Sequence, residues 1–405
     1  MPRAFPAVTV TRKAEKSLRA GHPWVYDTEA DVPDDVPNGS VCDVYSEKGS
    51  WLGAGLLSRH SKIRLRIISR NANDRFDDAF WARRVKYAVD YRLNVMPRDL
   101  ECCRLIFGES DGLPGLVVDR FGMVLVVQSL SYGIEQRKDV ILSALLSYLG
   151  ELGINIRGVY ERSDSPLREH EGLPEYKGWY ERDFCPRGDE TVVTITENGV
   201  KYSVDVENGQ KTGFFLDQKY NRRRVAQLAA GKRVLDCFTH TGSFALNAAL
   251  GGAEHVLAVD VSETAIELAK HNARLNGLEQ KIEFLCADVF DLLPQLCEER
   301  ARYDFVILDP PAFTKSRRTV KGAERGYKEI NFRAMKLLPR GGWLASCSCS
   351  HFMERHAFES LMHEAALDAD VQVKLVESRG QAPDHPVLLS APETDYLKFY
   401  LCQII

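Results

Sequence analysis

Val234-Leu235-Asp236-Cys237-Phe238-Thr239-His240-Thr241-Gly242-Ser243 is an apolar strand pattern that ends on polar residues and passes, through one glycine, into a helix. The alternation repeats downstream. Val256 to Asp260 precedes a helical pattern from Ser262 to Leu275; Ile282 to Leu285, Phe305 to Leu308 and Trp343 to Ser350 are three more apolar runs, each followed by helical periodicity. Near-continuous apolar strands between helices predict a parallel sheet covered on both faces. A hairpin over Val192 to Val206, turned at Asn198-Gly199, precedes this pattern. Residues 191–405 therefore read as a doubly wound α/β domain.

Two further zones lie upstream. Residues 73–190 open with a helix for which Asp77 is the N-cap, continue with two strands around Arg120-Phe121-Gly122, and add a helix at Ile134 to Leu149 and a strand at Ile156 to Glu161. That order suggests a central α+β domain. Residues 1–72 carry short alternating segments (Val8 to Val10, Val41 to Tyr45, Trp51 to Leu57) separated by Gly and Pro clusters, as in a small β-rich domain. A chain of 405 residues has room for two or three such units.

Composition narrows the class. Hydrophobic residues make up 44% and charged residues 27%, which excludes a mainly disordered chain, and a net charge of −4 excludes a global cationic field. The longest stretch without Asp, Glu, Lys or Arg, Cys237 to Ala253, is too short to span a bilayer. No signal peptide is visible, and the ten cysteines form neither a CxxC pair nor a metal-binding spacing. A reduced, cytoplasmic protein without a metal site is expected.

In doubly wound sheets the ligand sits beyond the carboxyl ends of the strands. The turn Asp236 to Ser243 lacks the G-x-G-x-x-G of dinucleotide sites, and no G-x-x-x-x-G-K-[ST] occurs in the chain, so nicotinamide cofactors and nucleoside triphosphates are disfavoured. Gly242 permits close backbone approach without building a phosphate cradle. Asp260, ending the second strand, suits the two hydroxyls of a ribose, and Asp288, ending the third, an adenine amino group. A strand-end Asp can also merely cap the next helix. The ordered set, without a phosphate site, points to S-adenosylmethionine.

Asp236 to Gly242, Val259-Asp260, Asn272 to Gly277, Ala287-Asp288 and Asp309-Pro310-Pro311 resemble the motifs of class I S-adenosylmethionine-dependent methyltransferases. Lys211-Thr212-Gly213-Phe214-Phe215-Leu216-Asp217-Gln218, Asp309-Pro310-Pro311-Ala312-Phe313, Ser348-Cys349-Ser350, Glu109 to Leu116 and Asp384-His385-Pro386 are similar, more specifically, to the ribosomal RNA large-subunit methyltransferase I family. The resemblance covers essentially the whole chain. It implies an N-terminal PUA domain, a central α+β domain, a C-terminal Rossmann-like domain and formation of 5-methylcytosine in large-subunit ribosomal RNA. It further implies cofactor contacts at Gln218, Asp236, Phe238, Thr239, Gly242, Asp260, Asp288 and Asp309. Large-subunit ribosomal RNA is the expected partner; no membrane partner is expected, and a homodimer is left open.

Carbon 5 of cytosine is too weak a nucleophile to accept a methyl group unaided. A thiolate adding to carbon 6 generates an enamine that can. The fifth strand carries two thiols on one face, with Cys349 nearer the carboxyl end and Cys347 about 6.6 Å deeper at ~3.3 Å per residue. Cys349 is the expected nucleophile; Cys347 reads as a small buried hydrophobe. Asp309 closes the neighbouring fourth strand, where it could protonate N3 of the base. Many cytosine-5 RNA methyltransferases carry a second cysteine after the prolines, but this chain has Ala312 there, so the base that removes the carbon 5 proton is unidentified. His351 and His385 are conceivable, with nothing to single out either.

Two basic runs are candidate RNA contacts. Arg59 to Arg70 has five cations and no acid, with Arg64 and Arg66 sharing one strand face; Lys315 to Lys328, which includes Arg317 and Arg318, has six cations and one acid. Three other readings compete: methylation of guanine or another ring nitrogen, uracil-5 methylation, and a non-catalytic RNA-binding assembly factor. Nitrogen methylation needs no covalent adduct, so Cys349 discriminates it. Intact Gly242, Asp260 and Asp309 argue against the assembly factor.

Overall fold

In the computed structural model, residues 5–314 and 317–405 are described, apart from the side chain of Arg317. The chain divides into two compact units, Met1–Ile195 with Val204–Leu216 and Pro383–Thr394, and Thr196–Ser203 with Asp217–Ala382 and Asp395–Ile405.

The first unit contains two sheets. Strands β1 (Ala7–Val10), β2 (Trp24–Tyr26), β3 (Ala30–Asp31), β4 (Val41–Ser46), β5 (Trp51–Leu57) and β6 (Ile63–Ser69) form a six-stranded sheet in the order β2-β6-β5-β4-β1-β3. Val8, Val10, Val44 and Leu65 fill its core together with Leu18 from helix α1 (Arg12–Arg19). Thr11 starts that helix, its hydroxyl accepting from Ala14 N at 3.4 Å. On β6, Leu65 and Ile67 enter the core, which leaves Arg64 and Arg66 on the other face as the alternation predicts. That face is not open. Arg66 is 7% exposed, with its guanidinium 2.7 Å from Glu171 Oε1. Half-buried Arg64 donates to the carbonyls of Ser58 and Arg59. The expected RNA contact at Arg66 is corrected accordingly: the charge balances a buried glutamate, and Arg64 is engaged by backbone.

The second sheet, β11-β10-β9-β8-β7, comprises β7 (Cys102–Phe107), β8 (Leu116–Phe121), β9 (Val124–Ser129), β10 (Gly158–Ser163) and β11 (Tyr176–Trp179). Helix α2 (Asp78–Val95) begins where expected, with Asp77 accepting from Phe80 N at 3.0 Å. The helix expected from Ile134 to Leu149 is two helices, α3 (Tyr132–Glu135) and α4 (Lys138–Glu151). Arg137 leaves helical dihedrals between them, and its guanidinium binds Gly133 O at 2.7 Å. The hairpin β12 (Val192–Glu197) and β13 (Val200–Asp205) turns at Asn198 and Gly199, whose φ values of 54° and 83° are those of a tight two-residue turn.

The second unit holds the doubly wound sheet, in the order β16-β15-β14-β17-β18-β20-β19. Its strands are β14 (Arg233–Cys237), β15 (His255–Asp260), β16 (Ile282–Cys286), β17 (Phe305–Leu308), β18 (Trp343–Ser348), β19 (Val373–Arg379) and β20 (Lys398–Ile404). The first five run parallel; β20 enters antiparallel between β18 and β19. Helices α5 (Lys219–Leu228), α6 (Ser243–Leu250), α7 (Glu263–Leu275), α8 (Val289–Glu298), α9 (Val320–Leu337) and α10 (Arg355–Asp368) connect and cover it. Leu235, Val259, Val306, Leu308 and Leu344 meet Ile330, Met335 and Phe358 in a continuous apolar core, which is why these strands read as unbroken hydrophobic runs.

Candidate active site

Parallel registry lines up the carboxyl ends of the central strands. Cys237 pairs with Val259 on one side and Leu308 on the other, and Leu308 pairs with Ser346. One residue further, Asp309 and Cys347 stand side by side on strands spaced about 4.8 Å apart. The expected site residues on β14, β15, β17 and β18 thus cluster at one edge of the sheet.

Asp236 is completely buried in β14. Its Oδ2 accepts from Thr239 Oγ1 at 2.5 Å and from Ala245 N at 2.9 Å, whereas Oδ1 has no partner. Burial pushes this carboxyl up to about 7. The turn that follows is unusual, because Phe238, His240 and Gly242 all have positive φ, at 63°, 51° and 79°. Two non-glycine residues in the left-handed region cost about 1 kcal/mol or more each, a strain that collects at ligand sites. A Cβ at Gly242 would lie 3.1 Å from Ala269 Cβ, so the close approach this glycine allows is between α6 and α7.

Asp260 Oδ2 accepts from His240 N at 2.8 Å and Oδ1 from Ser262 N at 2.9 Å. Asp288 is exposed and caps α8, with Oδ1 accepting from Phe290 N at 2.8 Å. Asp288 therefore does the capping work that strand-end aspartates often do, whereas Asp260 ties the turn at His240 to Ser262, the residue that caps α7, and each oxygen still has a second lone pair for a hydroxyl or amino group. Phe238, Phe290 and Phe313 form an aromatic triangle nearby, with ring centroids 5.7 to 6.5 Å apart. The site thus offers acceptors and flat apolar faces in place of a phosphate cradle, a set that suits a cationic, ribose-bearing adenosine derivative. The unsatisfied Asp236 Oδ1 is the buried acceptor that such a cation would answer.

Gln218 is 3% exposed and donates from Nε2 to Asp309 Oδ1 at 3.0 Å. Burial, and then the neighbouring Asp217, push the Asp309 carboxyl up to about 6, against the hydrogen bonds from Gln218 and Cys347. Strand β18 ends at Ser348, two residues short of the expected Ser350, so Cys349 stands just beyond the last ladder pair. It is half-buried, and its Sγ lies 3.8 Å from Pro310 O. Cys347 is completely buried and touches Asp309; burial first, then that carboxylate, push its thiol well up. The two thiols thus differ in access as expected, but Cys347 is also a neighbour of the acid, which its reading as a filler missed.

Two residues near Cys349 escaped the sequence analysis. The hydroxyl of buried Tyr327 hydrogen-bonds both Ser348 Oγ and Ser350 Oγ, at 3.1 and 3.0 Å, and so brackets the cysteine between them. Lys398, 3% exposed on β20, donates to Ser350 O at 2.7 Å. A lone lysine within Tyr396-Leu397-Lys398-Phe399-Tyr400-Leu401 was the available signal for the second. His351 is exposed; His385, buried in the first unit, bonds Asp384 Oδ1 through Nδ1 at 2.8 Å. Of the second basic run, Lys315 and the Arg317 side chain lie outside the described residues, while Arg318 is exposed ahead of α9. Among the described residues no cluster of three or more His, Cys, Asp or Glu side chains could hold a metal ion, and no helix is long and apolar enough to cross a membrane.

Comparison with known proteins adds five findings. Residues 185–399 match the family model of S-adenosylmethionine-dependent methyltransferases, and residues 8–70 that of PUA-like domains. The ribosomal RNA large subunit methyltransferase I of Vibrio cholerae is 42% identical over 405 residues, covering 99% of this chain and 100% of the relative. Its counterpart from Klebsiella pneumoniae is 39% identical over 404 residues, covering 99% of each. Among solved structures, a protein complexed with SAH aligns over 98% of this chain and 100% of its own with a TM-score of 0.83 at 23% identity, which speaks to the fold alone.

Proposed function

We propose a cytosine target and a covalent route for this chain, which belongs to the S-adenosylmethionine-dependent methyltransferases and, within them, to the ribosomal RNA large subunit methyltransferase I family. The reading is that it methylates carbon 5 of a cytosine in large-subunit ribosomal RNA. One observation carries it: a half-buried cysteine, Cys349, stands just past the end of β18 with its Sγ 3.8 Å from the carbonyl oxygen of Pro310, the residue that follows Asp309, whose carboxyl is pushed up to about 6.

The cofactor, when bound, supplies an electrophilic methyl group on sulfur. Asp236, Thr239, Asp260 and Asp288 are the residues that would hold it, Asp236 Oδ1 offering an unpartnered acceptor and Phe238 a flat apolar face. Cys349, as thiolate, adds to carbon 6 of the cytosine, forming a C–S bond and moving electron density toward N3. Protonated Asp309 donates to N3, which completes an enamine nucleophilic at carbon 5. Since Asp309 Oδ1 accepts from Gln218, that proton belongs on the other oxygen. Carbon 5 then takes the methyl group as that group's bond to sulfur breaks, carbon 5 loses its proton to a base, and elimination of the thiolate, with return of the N3 proton to Asp309, restores the aromatic ring. An acid poised at about 6 suits cytosine, whose N3 lacks a proton, better than uracil, whose N3 already carries one.

Carbon 6 must be exposed to the thiol, so the target base is single-stranded or flipped out. Exposed Arg318 belongs to the loop that would neutralise phosphates beside it. Mass spectrometry of nucleosides from large-subunit ribosomal RNA, in cells with and without this gene, tests the proposal. Loss of one 5-methylcytidine is the expected result; loss of a methylguanosine or 5-methyluridine instead would overturn it.

A further inference from the structure

We propose that Lys398 is a positioning residue for Cys349: it fixes the backbone directly after the thiol and supplies the positive charge that favours the thiolate. The proposal rests on Cys349 being the nucleophile.

Ser348 and Lys398 are register partners across the antiparallel pair β18 and β20. From there the ammonium donates to Ser350 O at 2.7 Å and to Tyr396 O at 2.9 Å. Cys349 is thus held from two sides, with the Tyr327 hydroxyl on the flanking serine side chains and the Lys398 ammonium on the following carbonyl. Carbonyl acceptors alone would be served by a neutral donor, so they do not explain a charge at this position.

Among the described residues no carboxylate is ion-paired with the Lys398 ammonium, although the side chain is only 3% exposed. An unpaired buried cation is expensive to maintain. Arg355, the cation presented by α10, is committed to Asp395 at 3.0 Å. The charged and titratable groups that act on Lys398 are Arg355, which opposes its charge, and Asp395 and Cys349, which favour it. Of these only Cys349 lies between the two serines that Tyr327 holds. Burial is the largest influence and brings Lys398 down to about 8, so the cation still predominates at neutral pH. Ionisation of the thiol beside it releases one proton to solvent and changes no other bond, and the thiolate then becomes the missing counter-ion.

The test is the pH dependence of iodoacetamide alkylation at Cys349, mapped by peptide mass spectrometry, with exposed Cys286 as the reference thiol in the same chain. In the native protein the Cys349 midpoint should lie below that of Cys286; coincident midpoints would overturn the proposal. In Lys398→Met the midpoint should rise and alkylation at pH 7 should fall about tenfold, the ratio for one pKa unit, while Lys398→Arg should recover most of the rate. Cofactor binding by calorimetry checks that the variants are folded. A folded Lys398→Met that loses methyl transfer with an unmoved midpoint would reduce Lys398 to a structural role. Failure of the underlying reading has a different signature, in which Cys349→Ala retains methyl transfer whatever the native midpoint shows.

Discussion

Gln218 Nε2 donates to Asp309 Oδ1 at 3.0 Å, and Gln218 Oε1 in turn accepts from Asn221 Nδ2 at 2.6 Å, so the amide cannot flip without losing both bonds. The glutamine thereby sets which oxygen of Asp309 is available to a proton. It also favours the charged carboxylate, in opposition to burial and to Asp217.

Gln218→Leu should therefore move Asp309 further up from about 6. The limb of the kcat profile that reports this group should shift to higher pH, together with a loss of rate. An unshifted limb would mean that another group controls it.

Cys349→Ala should abolish methyl transfer and leave cofactor affinity near normal, measured by methyl incorporation and calorimetry. Cys347→Ala should retain measurable transfer and cost about 1 to 2 kcal/mol of stability, as expected for a small change at a fully buried site. Equal losses of activity in the two variants would reassign the nucleophile.

Asp236→Asn should stabilise the folded protein and weaken cofactor binding together. The carboxyl sits at about 7 in the fold against an ordinary 3.8, so folding disfavours its charged form. Its favourable share of stability is complete below pH 3.8 and is lost as pH rises through 7. At about 1.4 kcal/mol per pKa unit, the amide should raise Tm by several degrees at pH 8 and leave it unchanged near pH 3.5. A gain of equal size at both pH values would contradict the assignment.

The two basic runs should separate experimentally. Arg66→Met strands the buried Glu171 carboxylate and should destabilise the first unit by about 3 to 5 kcal/mol. Arg318→Ala should leave Tm unchanged and reduce the slope of log affinity for RNA against log salt by about 1. A slope unaffected by Arg318→Ala would remove that residue from the phosphate contacts.

The doubly wound sheet was legible because its buried strands are short, apolar and regularly spaced, and the hairpin because Asn198-Gly199 meets the dihedral demand of its turn. The cysteine and the strand-end aspartates were legible because topology alone carries Asp236, Asp260, Asp309 and Cys349 to one edge. What remained hidden depended on partners remote in sequence. Arg66 reads as a surface cation until Glu171, 105 residues away, is seen to cover it. Lys398 reads as an irregularity in the final strand until β20 is found lying against β18. The break after α3 is of another kind, because it is local: Arg137 leaves helical dihedrals and its guanidinium bonds Gly133 O four residues back.

Strand β20 lies inside the sheet, hydrogen-bonded to β18 on one flank and β19 on the other, and it is drawn from residues 398–404. Five parallel strands and the helices that cover them can be synthesised and begin to collapse before this segment emerges from the ribosome. Until it does, β18 has an open flank beside Cys349. The surroundings of that thiol are therefore complete only once residues 398–404 have entered the sheet, and a variant unable to seat β20 would display an adhesive strand flank beside Cys349.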